Sequence, residues 1–330
     1  MHHTNTPSSR KRQLLLAMLA AVTTSVSMPT YAADKVKVGV FPSSSALPYF
    51  VALERGYFKD VDIETEAVTF NAHPLTVQAI VTGDIDVASN LVTLEGANIN
   101  QRRANTLTFI SLNGQNAQYI TEQFVVRMGS TAQSLKDLKG AKIMSAPGPA
   151  NLGAAKAVLR SAGLEEGKDY TIQEQQMGVH IGAMQANTFD AAYTLEPLAS
   201  IMIKQGAARR LEAGVIATHL LGRKEALAFA AGGALSNKFM TERPQVAARF
   251  ASAWAKAVND VARDAKVREL LPKYMNTSAD IAPTVPLAKL MLVKDLTAQD
   301  MSDFQKFVDI GIQQGVIKGA VDVKTLIKAY

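Results

Sequence analysis

The sequence predicts an α/β protein in which β-strands alternate with helices along most of the chain. Three observations support this prediction: short β-branched runs, helical segments that end at glycine, and small polar residues directly after strands. All three occur together between residues 35 and 90, in the order strand, helix, strand, helix, strand. This order is typical of a parallel sheet, whose ligands bind beyond the carboxyl ends of the strands.

The first unit begins with an alternating strand, 35–41, which Pro42 breaks. The later elements of this unit are predicted at 47–60, 61–68, 75–82, 83–90, 91–103 and 107–112. Two of the strand ends carry small hydroxyl or amide residues, 43–45 and 89–90. This pairing indicates the capture of a small molecule.

A second unit of the same kind follows. Its elements are predicted at 124–126, 135–140, 141–145, 152–161, 170–174, 178–187, 190–193 and 197–205. A strand at 226–231 then returns to the first unit, and a helix around 244–262 carries an apolar face that includes Trp254. We therefore expect a first lobe of 34–123 and 229–330, a second lobe of 124–228, and a cleft between them. The crossings near 121–127 and 227–234 would act as hinges.

The N-terminus resembles a cleaved export leader, 1–32. Arg10-Lys11-Arg12 is basic, 14–22 is apolar, and Thr30-Tyr31-Ala32 offers small residues for cleavage. A membrane anchor or a disordered tail is the alternative, but the apolar segment is short and Met28-Pro29 follows it. We expect a mature chain that starts near residue 33 or 34 and is released, soluble, into the periplasm.

Composition excludes several classes of protein. The chain has no cysteine, so neither disulfides nor a lipid anchor at the cleavage site are expected. Loss of Arg10, Lys11 and Arg12 with the leader would lower the net charge from +6 to about +3, without a basic stripe for nucleic acid. The 48% apolar content excludes disorder. The three histidines after the leader are widely spaced, so we expect no metal and no cofactor.

Several motifs, taken in order, resemble the nitrate, sulfonate and taurine group of periplasmic substrate-binding proteins, which shares a domain family with binders of thiamin pyrimidine precursors. The motifs are Val38–Ser44, Ala52–Phe58, Gly83–Ala88, Leu135–Gly140, and Phe189–Tyr193 followed by Glu196-Pro197. The resemblance implies the type II periplasmic-binding-protein fold, in which each lobe is a mixed sheet flanked by helices and the ligand cleft lies between the lobes. It also implies an ABC importer, with a membrane permease and a cytoplasmic ATPase as partners, and a monomeric binding protein.

Three loops supply most of the candidate ligand contacts. Ser43, Ser44 and Ser45 precede a predicted helix, whose free N–H groups and dipole favour an anion. Asn90 and Thr93 follow the next strand end, and Gly148, Ala150 and Asn151 precede the helix of the second lobe. Helix capping alone is the alternative for the first two loops. In the resembling family, contacts come from these same loops.

Further candidates have a structural alternative beside the functional one. Tyr49 and Tyr193 would flank the body of the ligand, and His180 would line the wall of the second lobe or serve as a surface or capping residue. Glu196 would contact the ligand or accept hydrogen bonds from loop N–H groups.

These residues predict a binding protein for a small organic anion: an alkyl or aryl sulfonate, a taurine-like compound or an aromatic carboxylate. A neutral pyrimidine such as a thiamin precursor, which would need aromatic stacking and carboxylate acceptors, stays open, and so does nitrate. A sensory binder that presents its ligand to a receptor would use the same cleft. An enzyme is not expected, because the iron-dependent pyrimidine synthases of the resembling family carry a Cys-rich motif and this chain has no cysteine.

Overall fold

A computed structural model describes residues 1–2 and 32–330 of the chain. Residues 3–31, which contain the basic and apolar segments of the predicted leader, lie outside the described residues. Within the described part, no helix is both long enough and apolar enough to cross a bilayer.

The structure describes eleven strands: β1 (Asp34–Val40), β2 (Ile63–Thr69), β3 (Val87–Val92), β4 (Leu107–Gln115), β5 (Glu122–Arg127), β6 (Lys142–Ser145), β7 (Thr171–Glu174), β8 (Ala191–Leu195), β9 (Ala208–Ala213), β10 (Ala228–Ser236) and β11 (Lys289–Leu292). The described α-helices are α1 (Leu47–Glu54), α2 (His73–Thr82), α3 (Thr93–Arg102), α4 (Pro149–Ser161), α5 (His180–Gln185), α6 (Leu198–Lys204), α7 (Asn237–Glu242), α8 (Pro244–Arg263), α9 (Leu271–Tyr274) and α10 (Ala298–Gln313). A π-helix covers Ile216–Leu220, and short 3₁₀ turns connect several elements.

The strands form two mixed sheets flanked by helices, which confirms the predicted fold class. The first sheet has the order β11-β4-β10-β3-β1-β2, and the second has the order β7-β6-β8-β5-β9. Strand β1 pairs in parallel with β2 and β3, and β6 pairs in parallel with β7 and β8. The strands that connect the sheets, β4 with β10 and β5 with β9, pair antiparallel. The β1 and β6 strand ends thus hold equivalent places in the two sheets.

Most predicted elements lie within a few residues of the observed ones, with three differences. The first helix ends at Glu54 rather than at residue 60, because the turn that follows needs the left-handed conformation of Gly56 (φ +73°). Strand β4 continues three residues beyond the predicted end, to Gln115. Strands β9 and β11 were not expected: β9 is a polar strand at the edge of the second sheet, where side chains need not alternate.

Helix α8 closes the core of the first sheet with the predicted apolar face. Phe250 and Trp254 are buried, and their rings stack at 6.0 Å between centroids. Trp254 Nε1 donates to Ser111 Oγ at 2.9 Å, which satisfies the one polar atom of the indole. Burying such a ring stabilises the fold by about 1.5–3 kcal/mol. Trp254 is therefore a core residue, as expected.

The two sheets meet along a closed contact. A small apolar cluster joins Phe41, which follows β1, to Ala146, Met177 and Leu195 of the second sheet and its loops. The Ser44 amide donates to the Glu196 carbonyl at 2.9 Å, and Asn71 Nδ2 donates to Gln176 Oε1 at 2.8 Å. The carboxyl ends of β1, β3, β6 and β8 consequently face the same narrow space.

Candidate functional site

A small cavity lies between the two sheets, at the carboxyl ends of their parallel strands. Its cavity volume is about 20 Å³, which is room for about one water molecule. The first sheet and its loops contribute Ser43, Ser45, His73, Val92, Asn113, Gln115, Ala230 and Ala231. The second sheet, α4 and the crossing into β5 contribute Thr121, Glu122, Asn151 and Leu195. The two sheets are therefore nearly closed on each other here, and a ligand larger than water would need this space to widen.

The serine loop after β1 is held in place by Asn90. The Asn90 side chain accepts from the Phe41 amide at 3.1 Å and donates to the Phe41 carbonyl at 2.9 Å. It also lies 3.1 Å from the hydroxyls of Ser43 and Ser45, which are 2.6 Å from each other. Asn90 thus stands behind the wall of the cavity, and the two serines form its surface. The Ser44 hydroxyl is buried without a hydrogen-bond partner and does not line the cavity.

A carboxyl group stands at the crossing from β4 to β5. Glu122 lines the cavity, and its carboxylate accepts a hydrogen bond from the hydroxyl of Tyr193. Burial raises the pKa of Glu122, although the bond from Tyr193 opposes that shift. Burial and the nearby carboxyl also raise the pKa of Tyr193 well above its ordinary value, so the phenol stays neutral. Tyr193 therefore supports Glu122 from behind and does not itself line the cavity.

Two further side chains bring unused hydrogen-bonding atoms to the cavity wall. His73, the first residue of α2, stacks on Phe41 at 3.8 Å between ring centroids, and its Nδ1 has no hydrogen-bond partner. Burial lowers the pKa of His73 to about 3, so the imidazole is neutral at physiological pH. Gln115 Nε2 is likewise buried without a partner at hydrogen-bond geometry, although it lies near enough to the Glu122 carboxylate to lower the pKa of that group. The Gln115 side-chain oxygen accepts from the Glu122 amide at 2.9 Å. The cavity thus offers both a free amide donor and a free ring nitrogen.

The loop after β6 contributes less than the serine loop. Asn151 lines the cavity, but its amide nitrogen donates to the Pro147 carbonyl at 2.8 Å within the same turn. Gly148 caps α4 with φ +107°, and its amide donates to Glu174 Oε2 at 3.1 Å. Ala150 is buried beside it without lining the cavity. Of the three residues predicted here, the structure brings Asn151 to the cavity.

Four other predicted residues lie away from the cavity wall. Tyr49 is buried in the core of the first sheet, with its hydroxyl 3.2 Å from Thr65 Oγ1. Thr93 Oγ1 donates to the Phe229 carbonyl at 2.6 Å. His180 is fully buried between Thr194 and the Gln175 carbonyl, and burial lowers its pKa to about 4. Their polar atoms are satisfied inside the protein, which leaves them structural roles.

Glu196 is the fourth, and it serves as an internal acceptor. Its carboxylate accepts from Gln123 Nε2 at 2.7 Å and from the Ser200 amide at 3.2 Å. Burial raises its pKa. The peptide bond to Pro197 is cis. This arrangement matches the structural alternative that the sequence left open for this residue.

The sequence did not identify as ligand-contact candidates the cavity-lining residues near the crossing into β5 or at the start of α2. The most informative of these are His73, Gln115 and Glu122. One signal was available: Glu122 is a polar residue in the crossing near 121–127, which was already expected to border the cleft. Which of their side chains turn inward depends on pairing with distant strands, which local sequence does not show. Among the described residues, no cluster of three or more His, Cys, Asp or Glu side chains suits a metal ion.

Comparisons with known proteins support the fold and the family. Residues 43–266 match the family described as NMT1/THI5 like. The alkanesulfonate-binding protein SsuA of Xanthomonas axonopodis pv. citri, solved with MOPS bound, superimposes with a TM-score of 0.69, at 19% identity over 91% of this chain and 100% of that one. The nitrate-binding protein NrtA of Synechocystis PCC 6803 superimposes with a TM-score of 0.72, at 14% identity over 88% of this chain and 84% of that one.

An enzyme is also among the similar structures. The desulfurization enzyme DSZB superimposes with a TM-score of 0.64, at 16% identity over 90% of this chain and 96% of that one. No curated protein matches the chain significantly by sequence. At these identities the structures show a common fold, the periplasmic-binding-protein fold. Because the family match covers well over half of the chain, this protein belongs to the NMT1/THI5-like family.

Proposed function

We propose that this chain is the periplasmic solute-binding component of an ABC importer. It is exported by its leader, residues 1–32, captures a small molecule in the cavity between the two sheets, and delivers it to a membrane permease driven by a cytoplasmic ATPase. The lobes are 34–123 with 229–330, and 124–228. The observation that carries this proposal is that polar residues from both sheets converge on one narrow cavity at the carboxyl ends of their strands, which a hinged opening of the lobes would widen for a ligand.

The cavity lining supports binding rather than catalysis. Among the described residues that line it, no serine or threonine hydroxyl is hydrogen-bonded to a histidine or a carboxylate, which nucleophilic catalysis would require. Ser43 and Ser45 bond to each other and to the Asn90 amide, which is not a base. We therefore propose that the protein is not an enzyme, although the shared fold also occurs in a desulfurization enzyme.

The charge of the cavity favours a neutral or weakly basic ligand. Its ionisable lining residues are His73, which is neutral, and Glu122, and no lysine or arginine is among the described residues that line it. A buried anion would lie beside the Glu122 carboxyl without a compensating cation. An aminopyrimidine, by contrast, has an amino group that donates to a carboxyl oxygen and a ring nitrogen that accepts from a carboxyl proton. We propose this ligand class, which the sequence left open as the alternative.

A small organic anion is the second candidate. The specific observations that favour it are the serine hydroxyls at the start of α1 and the unpartnered Gln115 amide nitrogen, which are hydrogen-bond donors. The structurally similar proteins include an alkanesulfonate-binding and a nitrate-binding protein. A sulfonate, a taurine-like compound, an aromatic carboxylate or nitrate would use these donors. Presentation of the ligand to a receptor, instead of a permease, would use the same cavity.

A thermal-shift screen followed by calorimetry tests the ligand class. The panel contains aminopyrimidines, aliphatic sulfonates, aromatic carboxylates and nitrate, because a ligand that binds the native state raises its melting temperature. We expect an aminopyrimidine to bind and Glu122→Met to weaken that binding at least tenfold, or about 1.4 kcal/mol. The matched control is Glu165→Met, at a side chain that is 67% exposed.

The result for anions distinguishes the two candidates. An anion held by Ser43 and Ser45 would lose affinity when both are changed to alanine and would keep or gain affinity in Glu122→Met. A sulfonate that binds in this way would contradict the aminopyrimidine proposal while leaving the binding function intact. A panel in which no compound raises the melting temperature would count against the cavity as a site for these classes.

A further inference from the structure

Glu95 makes a buried contact between the two sheets beside the cavity. Glu95 lies in the first turn of α3, the helix after strand β3 of the first sheet. Its side chain reaches the start of α4, the helix after strand β6 of the second sheet. A Cβ atom placed on Gly148 would lie 2.8 Å from Glu95 Oε1 and 3.6 Å from Pro74 Cδ, so the carboxyl packs directly against the Gly148 backbone. Glu95 is 7% exposed, and neither carboxyl oxygen has a hydrogen-bond partner among the described residues.

The surroundings of Glu95 disfavour its charge. Burial raises the pKa of Glu95 to about 8, and the nearby Glu174 carboxylate acts in the same direction. The Ala150 amide at the start of α4 opposes this shift: it lies close to the carboxyl, although outside the distance and angle of a hydrogen bond. His73, which directly precedes Pro74, is neutral because its pKa is about 3.

The other elements that pack against α3 do not supply a counter-charge. Strands β3 and β10 contain no charged residues. The 3₁₀ turn Val323–Leu326 also packs against α3. The charged groups on α10, on α4 and on this turn are hydrogen-bonded elsewhere or exposed: Asp300, Asp303, Lys306, Asp309, Lys156, Arg160 and Lys324. Arg102, on α3 itself, is exposed at the far end of the helix. Closing the cleft therefore removes the Glu95 carboxyl from water without pairing it with a cation.

We propose that Glu95 makes closure of the cleft depend on pH: the cleft closes with the Glu95 carboxyl protonated against the first turn of α4, and ionisation of this group favours the open form. This inference rests on the proposed function only in that the two lobes open and close. It does not depend on which ligand is bound, and it adds a regulatory contact outside the cavity lining.

The sign of the effect follows from proton binding. In the open form the carboxyl meets water and titrates near its ordinary pKa of 4.5, whereas in the closed form its pKa is about 8. Between these values the closed form binds the extra proton, so lower pH favours closure. The closed-to-open ratio is expected to rise by up to about tenfold for each unit that pH falls below 8, and to level off near pH 4.5.

The absence of cysteine from the sequence makes a distance measurement straightforward. Glu66→Cys on β2 and Gln173→Cys on β7 place one label on an exposed edge strand of each sheet. We expect the interlabel distance of the ligand-free protein to shorten as pH falls from 9 to 6. With Glu95→Gln added, which is neutral at every pH, the short distance should persist throughout. Circular dichroism of each variant reports its folding.

Two control variants keep the test decisive. Glu174→Gln should retain a pH response, moved to lower pH because one repulsive charge is removed. Glu95→Ala, which removes the titrating group altogether, should likewise lose the pH response, and it tests the same contact if Glu95→Gln folds poorly. A pH-independent wild-type distance, or a profile like that of the wild type in Glu95→Gln or Glu95→Ala, would overturn the proposal. Because no ligand is added, these outcomes are independent of the ligand screen.

Discussion

The loops after β1 and after β6 occupy equivalent places in the two sheets but differ in chemistry. The first loop turns two serine hydroxyls toward the cavity, and Asn90 holds them from behind. The second loop uses the Asn151 amide within its own turn, and the start of α4 is occupied by the Glu95 carboxyl from the opposite sheet. Equivalent topology therefore does not give two equivalent anion sites. One loop lines the cavity with two hydroxyls, and the polar groups of the other are used mainly in contacts within the protein.

The largest expected effect concerns the two asparagines. Asn90→Ala removes hydrogen bonds to the Phe41 backbone and to both serines, and leaves those buried groups without partners. We expect it to lower the free energy of unfolding by about 3–4 kcal/mol. Asn151→Ala loses the bond to the Pro147 carbonyl and should cost about 1 kcal/mol. Urea denaturation measures both values. Equal losses in the two variants would contradict the difference between the loops.

The next prediction compares buried His73 with a non-titrating variant. Unfolded His73 binds a proton below its ordinary pKa of 6.5, whereas the buried ring stays neutral down to about pH 3. The stability that depends on the neutral ring is therefore complete above pH 6.5 and is lost as pH falls toward 3. We expect the stability of the wild type, relative to His73→Gln, to fall by about 1.4 kcal/mol for each pH unit below 6.5.

Urea denaturation at pH 7, 5.5 and 4.5 tests this slope. The difference between the two proteins isolates His73, because Glu95, Glu122 and Glu196 have raised pKa values in both and shift stability in the opposite direction. His180→Gln serves as the comparison from the second sheet, with a similar slope that ends near pH 4. Parallel pH profiles for the wild type and His73→Gln would show that this ring is not buried as the structure describes.

The strand and helix order of both sheets was predictable from sequence because its signals are local. The β-branched strand 35–41, the break at Pro42 and the turn at Gly56 each act within a few residues. The serine loop was predictable for the same reason, since a short polar run after a strand marks the carboxyl edge of a parallel sheet.

The remaining parts of the site depend on contacts between distant segments. Glu122 faces the cavity because β5 pairs with β8 in a register that no nearby residue fixes. Glu95 lies in the first turn of a helix, where a carboxylate is ordinarily a favourable end charge, and its meeting with Gly148 across the cleft has no sequence signal. Tyr49 illustrates the converse: its proximity to the serine loop in sequence suggested a ligand contact, but helix α1 turns it into the core.

The smallest expected effect separates the exposed contact between the sheets from the buried one. Asn71 donates to Gln176 at 2.8 Å on the surface, where water competes for both groups. Asn71→Ala should therefore lower the closed-to-open ratio by about twofold to threefold, corresponding to roughly 0.5 kcal/mol, and equally at every pH. The label pair on β2 and β7 measures this ratio. A loss as large as that expected on ionising Glu95, or one that varies with pH, would mean that the surface bond and the Glu95 contact act together rather than independently.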